Sequence, residues 1–476
     1  MSHPPAAVLD GGSYEIRAGL AGDDNPRYVA PNCTARPKQQ LRVLVADEIY
    51  SIKNHAQLEI SRPLERGILT HVGAQRDVFA RCFGKIGTEP RDSRCFVTEA
   101  VVAPPSARKA MDELLFEDFG FLGRVRAPAP VCAAVAAQEV LRDRARHAAS
   151  IHGGKDAIKN PPLPPEIVLV VDAGHSATTA TPVVEGGAYE FAARRSDVGG
   201  QLVTGHIRDL VTYRQMDVTS ETATMDRVKR ELGYVSLDFD GDLRSCDGTT
   251  KEYGAPGAVY AEFVLPDYHA IEKGYARYDA RRPADAPRDA DDGGDAPPPP
   301  PGGEPERRRR TRTDAMPQFI RIESERFCAP ELHFSPQDIG LRQCGVPELV
   351  IDSILACHPQ LRPPMYKHVI LCGGESKLPG FRERLLRDLR PHVVHPYECD
   401  VVHPREPELL VFQGAASLAR NQSLYLSRAD WEEHGADRCS RCGIGPPDAS
   451  SDEEEEAVAA GSDGGASDDA SFMDVG

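Results

Sequence analysis

The sequence has no apolar run long enough to cross a membrane, and no basic segment followed by an apolar one at its start. It has no basic excess either, since the formal net charge is −17. Nine of the acidic side chains lie in residues 452–474, which contain no Lys or Arg, so the rest of the chain carries a net charge of −8. These absences argue against a membrane protein, a secreted protein and a basic nucleic-acid clamp.

Closely spaced cysteines are also nearly absent. The twelve cysteines are scattered singly, often in apolar segments, a pattern typical of a reducing compartment. One CxxC spacing, Cys439 to Cys442, has no second pair beside it. We interpret it as two ordinary thiols, with a zinc site as the alternative. The predicted location is the nucleus or the cytoplasm.

The clearest structural signal is a sharp turn after a buried strand. Residues 167–171 are all apolar and mostly β-branched, which predicts a strand buried on both faces, and Asp172 and Gly174 follow at once. Residues 7–9 lead into Asp10 and Gly12 in the same way. Ligands of open α/β sheets bind at such strand ends. Two Asp-x-Gly turns about 160 residues apart predict a duplicated α/β fold whose halves face one cleft.

Composition divides the rest of the chain. Residues 107–119 have the apolar spacing of a helix, with Ser106 as its expected N-cap. Segments rich in Pro, Asp and Arg cannot bury enough apolar surface to offset chain entropy, so we predict that they are disordered. The predicted parts are a first lobe (1–140), an insertion (141–165), a second lobe (166–278), a disordered insertion (279–316), the rest of the second lobe (317–390), a return to the first lobe (391–430) and an acidic disordered tail (431–476).

Several short motifs, in order along the chain, resemble the actin family. They are residues 21–27, 66–70, 97–100, 115–117, 324–327 with 329–331, and the glycine pair 373–374 ahead of 378–381. The matches spread over roughly residues 7–425. The resemblance implies an actin-like (ribonuclease H-like) duplicated two-lobed fold around a central nucleotide cleft.

Within that family the sequence is most similar to a nuclear branch of the actin-related proteins. The likeness is carried by residues 197–204, 210–215, 231–236, 264–268 and 336–340. Members of that branch belong to the chromatin-remodelling complex that exchanges a variant histone into nucleosomes. The resemblance therefore implies a nuclear scaffold subunit that affects transcription. Its implied partners are the remodeller ATPase and accessory subunits, with histones or the nucleosome as further candidates.

The resemblance also assigns positions of an ATP site, beginning with the first hairpin. Asp10, Gly12 and Ser13 keep the family's pattern. Tyr14 stands where the family has a second glycine, and Arg17 replaces a phosphate-contacting lysine. The tyrosine adds bulk beside the phosphates, and the arginine keeps the charge but not the geometry.

At the second hairpin Asp172 and Gly174 keep the pattern, but His175 takes the position of the second acidic residue. An imidazole is a poor substitute for a carboxylate in the water shell of magnesium. Our alignment places Ala133 where the family has the Gln that positions the attacking water. The resemblance therefore implies that ATP hydrolysis is lost, with no catalytic residue and no metal ligand.

For the base and ribose, Lys229 is retained, whereas Arg230 replaces an acidic ribose contact. Gly373 and Gly374 would still allow the backbone to approach the nucleotide. We expect no required cofactor. ATP or ADP stays open as a structural ligand, because a nucleotide that bridged the lobes would stabilise the fold by mass action.

Two rival functions use the same fold: an ATP-hydrolysing actin-like filament protein, and a sugar kinase or chaperone-type ATPase. Only seven residues separate Pro37 from Val45, where filament-forming members have a longer docking loop, so we expect no homopolymer. The arginines at 307–310 and 312 are either a nuclear import signal or a solvated basic patch. The acidic tail either contacts basic histone surfaces or only solubilises the chain.

Overall fold

The computed structural model describes residues 4–38, 40–152, 165–246, 259–269, 271–279 and 317–439. The strands are β1 (Ala7–Gly11), β2 (Glu15–Leu20), β3 (Tyr28–Pro31), β4 (Thr34–Pro37), β5 (Leu44–Val45), β6 (Leu58–Ser61), β7 (Leu64–Glu65), β8 (Ile68–Leu69), β9 (Arg94–Glu99), β10 (Gly123–Pro128), β11 (Ile167–Ala173), β12 (Thr178–Val184), β13 (Gly187–Ala188), β14 (Arg194–Ser196), β15 (Ala261–Val264), β16 (Tyr275–Asp279), β17 (Phe319–Ile322), β18 (Val369–Cys372), β19 (Val401–Val402) and β20 (Leu426–Ser427).

The α-helices are α1 (Val72–Ile86), α2 (Pro105–Glu113), α3 (Ala129–His152), α4 (Gly200–Arg214), α5 (Thr222–Leu232), α6 (Phe239–Cys246), α7 (Glu325–Glu331), α8 (Val346–Leu355), α9 (Arg362–Lys367), α10 (Phe381–Leu389), α11 (Leu410–Leu418), α12 (Arg428–His434) and α13 (Ala436–Cys439). Within the described ranges, no helix is both long and apolar enough to cross a membrane.

Two sheets repeat one topology. In the first, β1 pairs antiparallel with β2 and parallel with β9, in the order β20-β10-β9-β1-β2-β3. In the second, β11 pairs antiparallel with β12 and parallel with β18, in the order β13-β12-β11-β18-β19, with β14 also beside β12. Smaller sheets β5-β4-β6 and β16-β15-β17 extend the two halves. The predicted duplicated α/β fold is confirmed.

The two strands that end in aspartate are buried. Ala7, Val8 and Leu9 of β1 have no exposed surface, and residues 168–171 of β11 are buried as well. Apolar runs of this kind form central strands because both faces of the sheet are covered. The sequence interpretation of both strands, and of the hairpin from β1 to β2, is confirmed.

The helix predicted over residues 107–119 begins earlier and changes form before its end. Helix α2 covers Pro105–Glu113, and residues Leu114–Asp118 continue as a π-helical turn. The expected cap at Ser106 is wrong. Pro104 occupies the N-cap position without a side-chain cap, and Pro105 starts the helix because its fixed φ and missing N–H suit the first helical position.

Three predicted boundaries shift in the structure. Helix α3 continues through residues 141–152, which the sequence assigned to an insertion. Strand β19 pairs with β18 of the second sheet, so the return to the first lobe comes after residue 402 rather than at 391. Residues 431–439 form helices, because Trp431 is buried and stacks on Phe116 at 5.1 Å between ring centroids. Residues 153–164, 280–316 and 440–476 lie outside the described residues.

The two sheets share one hydrophobic cluster. Val8 and Val125 reach it from the first sheet, Val170 and Ile370 from the second, and Phe412 from α11. Each of these side chains is fully buried. The lobes are therefore joined by a common core as well as by the chain.

A buried charge cluster ties the chain's last described helix to the first sheet. Arg124 and Arg126 of β10 and Asp112 of α2 have no exposed side-chain surface. Asp112 lies 3.0 Å from Arg124 Nη2 and 2.7 Å from Arg126 Nε. Arg124 Nη2 also donates to the backbone oxygen of Cys439 at 2.7 Å. One carboxylate thus faces two buried cations, and Glu99 supplies a second acid 2.8 Å from Arg126.

We predict that Asp112→Asn lowers the free energy of unfolding by about 3–5 kcal/mol, because it leaves buried guanidinium groups without their shared counter-charge. Urea denaturation followed by circular dichroism measures the change. The matched control is Asp118→Asn at an exposed position of the same segment, where we expect a change within about 0.5 kcal/mol. A loss below about 1 kcal/mol for Asp112→Asn would contradict this reading of the cluster.

Candidate functional site

A cavity of about 1810 Å³ lies between the two halves. It is lined by the turn after β1, the turn after β11, helix α5 and the turn after β18. All nine residues that the sequence proposed for a nucleotide site line this one cavity: Asp10, Gly12, Ser13, Arg17, Asp172, Gly174, Lys229, Gly373 and Gly374.

At the first hairpin the polar groups mostly bind one another. Thr98 Oγ1 donates to Asp10 Oδ1 at 2.9 Å, and Arg17 Nη1 lies 3.6 Å from Asp10 Oδ2. Burial raises the pKa of Asp10, and the nearby Arg17 offsets part of that rise. Gly12 is required by the turn, since an added Cβ would come 2.8 Å from the Glu15 oxygen. Arg17 therefore neutralises a buried acid in addition to facing the cavity.

The second hairpin places a second acid opposite the first. Burial raises the pKa of Asp172 to about 6, the charge of Asp10 adds to this, and Arg17 opposes it. Gly373 lies beside it with φ of +89°, and an added Cβ there would come 2.4 Å from Asp172 Oδ1. The glycine is thus needed to seat β18 against Asp172, whereas Gly374 has open space around it.

Two aromatic rings meet between the two hairpins. The Tyr14 ring and the His175 ring lie 4.9 Å apart, between centroids. Burial, followed by the positive charges of Arg62 and Lys229, lowers the pKa of His175 to about 3 against the opposing effect of the nearby acids. The imidazole is therefore neutral at physiological pH and offers no negative charge where the family has an acidic residue.

The Tyr14 side chain also crosses the cleft. Its hydroxyl donates to Asp226 Oδ2 on α5 at 3.0 Å, and the Arg230 guanidinium lies 4.8 Å from the ring centroid. Burial, followed by the charge of Asp226, raises the pKa of Tyr14, so the hydroxyl keeps its proton. Burial alone would raise the pKa of Asp226, but Lys229 and Arg230 hold it at about 2. The pair is a neutral donor facing a charged acceptor.

Lys229 has partners for its whole ammonium group. Its Nζ lies 2.5 Å from Glu375 Oε1, 3.1 Å from the Gly200 oxygen and 3.2 Å from Asp226 Oδ1. Its side chain is 2% exposed. An ammonium has three donors, and these three contacts account for them. Lys229, which the resemblance proposes as a contact for the nucleotide base, is therefore part of a buried charge network.

Ala133 does not face the cavity. It has no exposed surface and lies in the cluster shared by the two sheets. The start of α3 instead presents Ala129 and Pro130 to the cavity. Ala133 is therefore not placed to orient a water molecule in the cavity, and the two first-turn residues that line the cavity, Ala129 and Pro130, have no polar side chain.

A nucleoside triphosphate with magnesium is the ligand that the family resemblance implies for this cavity. The turns that would hold the phosphates are bridged by the contact of Tyr14 with His175, and Lys229 is committed to Glu375 and Asp226. A phosphate chain between the turns would have to displace the Tyr14 ring. The part of the cavity between the turns after β1 and β11 therefore does not fit a triphosphate with magnesium in this arrangement of side chains.

Sequence reasoning missed the acids that complete the site. Asp226 lies three and four residues before Lys229 and Arg230 on α5, and Glu375 follows the glycine pair directly. The helical spacing of Asp226 was a usable signal, because residues three or four apart share a helix face. The sequence gave no signal for Arg62, because it lies far along the chain from the β1–β2 hairpin to which it donates a hydrogen bond. Within the described ranges, no group of three His, Cys, Asp or Glu could hold a metal ion.

We predict that the His175 imidazole does not protonate above about pH 4 in the folded protein, whereas in urea it titrates near 6.5. Because the folded pKa lies below the unfolded one, His175 contributes stability that is present above pH 6.5 and is lost as pH falls. NMR of the imidazole C–H signals measures the titration.

His175→Gln is the matched variant for stability. Between pH 7 and pH 5 the wild type is expected to lose up to about 2 kcal/mol more than the variant, at 1.4 kcal/mol per unit below pH 6.5. Asp172 acts with the opposite sign, since its raised pKa favours the fold as pH falls, but it is present in both proteins. A folded-state titration of His175 between pH 5 and 7 would refute the buried, neutral assignment.

Comparison with known proteins identifies the family. A sequence model of the family described as actin matches residues 1–443. The chain is 31% identical over 447 residues to "Actin-related protein 6" of Oryza sativa subsp. indica, covering 91% of this chain and 97% of the relative. It is 31% identical over 445 residues to the protein of the same name from Arabidopsis thaliana, covering 91% and 98%, and 30% identical over 451 residues to that of Neurospora crassa, covering 91% and 93%. The resemblance found in the motifs is confirmed, and the chain belongs to the actin family.

Proposed function

We propose that this chain is a non-catalytic actin-related scaffold subunit of a nuclear chromatin-remodelling complex that deposits a variant histone into nucleosomes. The observation that carries the non-catalytic part is the contact of the Tyr14 and His175 rings at 4.9 Å, which bridges the two turns where phosphates and magnesium would lie. A neutral imidazole there provides neither a carboxylate for the metal's water shell nor an electrostatic clamp.

The start of helix α3 supports the same proposal. Hydrolysis of a phosphoanhydride needs a polar group that orients the attacking water. Ala129 and Pro130, which present this helix to the cavity, have no such group. Two charged groups of the first hairpin, Asp10 and Arg17, are paired with each other.

The nuclear and chromatin part of the proposal rests on the family branch. The relatives named actin-related protein 6 match nearly their whole length. The remodeller ATPase and accessory subunits are the proposed partners, and the acidic residues 452–474 are a candidate contact for basic histone surfaces by charge complementarity. Strands β4 and β5 pair directly, Ala35 with Leu44, so the segment between them is short for a filament-docking loop.

Affinity capture of the tagged chain from nuclear extract is the first test. We expect the remodeller ATPase and the variant histone to co-purify in stoichiometric amounts, because a scaffold subunit is held by a large interface. Quantitative mass spectrometry measures the ratio, and tagged actin from the same organism is the control bait. Recovery of this chain alone, or within actin bundles, would reject complex membership.

Phosphate release tests the non-catalytic assignment and the main rival function together. The purified chain with magnesium and ATP is expected to release phosphate at the rate of the no-protein blank, and to stay in the supernatant under polymerising salt. Actin run in parallel should hydrolyse and pellet. Steady turnover or pelleting by this chain alone would favour an ATP-hydrolysing filament protein.

A further inference from the structure

A set of four side chains links the lobes across the cavity. We call Tyr14, His175, Asp226 and Arg230 the cleft clamp. Tyr14 comes from the turn after β1 in the first lobe, and the other three come from the second lobe. The Tyr14 ring lies 4.9 Å from the His175 ring and 4.8 Å from the Arg230 guanidinium, and its hydroxyl reaches Asp226 at 3.0 Å. One side chain of the first lobe thus makes three contacts with the second.

The first-lobe side of the clamp is held in place by its surroundings. Arg62 Nη1 donates to the backbone oxygens of Ser13 at 2.8 Å and of Tyr14 at 3.3 Å, and its guanidinium lies 5.2 Å from the Tyr14 ring centroid. Asn32 donates to the Gly12 oxygen at 2.9 Å. These contacts fix the hairpin, so its side chain needs little further ordering to cross the cleft.

The second-lobe side is equally supported. Asp226 accepts from Thr204 at 3.2 Å, from Lys229 at 3.2 Å and from Arg230. Lys229 in turn binds Glu375, whose other oxygen lies 3.5 Å from the buried His333. Asp226 keeps these donors when the tyrosine hydroxyl is absent, so removing that hydroxyl does not leave the carboxylate without a partner.

Three ion pairs between the lobes each have at least one partner that is more than half exposed. Arg66 lies 3.6 Å from Asp197, Arg108 lies 3.4 Å from Glu190, and Lys53 pairs with Glu272. Exposed ion pairs of this kind contribute little and are screened by salt. The clamp is a partly buried polar connection that faces the cavity where a nucleotide would lie, and only its Arg230 is exposed.

We propose that the cleft clamp holds the two lobes closed in place of a nucleotide, so that the surface shown to partner subunits does not depend on ATP. This inference rests on the proposed scaffold function and adds how its shape is set. In a site that binds nucleotide, the ligand links the lobes by mass action. Here the chain's own tyrosine occupies the gap between the turns and provides the link permanently.

Hydrogen exchange tests the clamp in the full-length chain. The measured peptides cover the two turns, residues 10–15 and 172–178, with and without magnesium and ATP. Tyr14→Phe keeps the ring and removes only the hydroxyl. We expect exchange in both turns to rise about tenfold, the factor that corresponds to 1.4 kcal/mol, because a hydrogen bond to a charged group contributes about that much or more. Tyr14→Gly should exchange at least as fast.

Tyr213→Phe is the matched control, since Tyr213 on α4 is 92% exposed, and its exchange should equal that of the wild type. ATP with magnesium should leave wild-type exchange unchanged. Wild-type rates in Tyr14→Phe, or a tenfold slowing of wild-type exchange by ATP, would overturn the clamp. The proposed function is tested by other experiments, and it fails if the chain releases phosphate or if affinity capture recovers no remodeller ATPase. The hydrogen-exchange data alone decide whether the cleft clamp exists.

Discussion

Two buried strands, one in each sheet, deliver an aspartate into the same cavity, and the cost of burying these two carboxylates constrains what surrounds them. Asp10 has Thr98 and Arg17 as partners, and Asp172 has the charge of Asp10 against it. Buried acids persist when cations and donors stay close. Arg17 therefore stabilises the folded protein by placing a positive charge near both acids. The same requirement explains Gly373, whose missing side chain lets the neighbouring strand approach Asp172.

Local patterns were sufficient to predict the central strands, since a run of apolar β-branched residues in β11 is explained by burial alone. The two Asp turns also predicted the duplication, and the resemblance supplied the nine site residues that line one cavity. Residues whose role depends on distant partners were harder to assign. Ala133 was assigned from the resemblance alone, and its burial in the shared core depends on packing that local sequence does not reveal. Trp431 looked like part of a polar tail because its partner, Phe116, is over three hundred residues away.

Under the proposed function, the side chains of this cavity link the two lobes instead of binding a ligand. Three residues that depart from the family pattern are paired inside the chain: Tyr14 and Arg230 with Asp226, and Arg17 with Asp10. These pairs satisfy the polar groups of the cavity among themselves, which stabilises the folded interior.

The docking of Trp431 on Phe116, with the Arg124 guanidinium on the Cys439 oxygen, fixes a point of departure on the first lobe for the remainder of the chain. The two contacts involve different helices, Trp431 on α12 and Cys439 on α13, so this part of the chain is anchored to the first lobe at two separate places. One anchor is apolar and the other is a hydrogen bond from a buried cation, so the first depends on burial from water and the second on charge. A change of salt or pH that weakens one anchor therefore leaves the other in place.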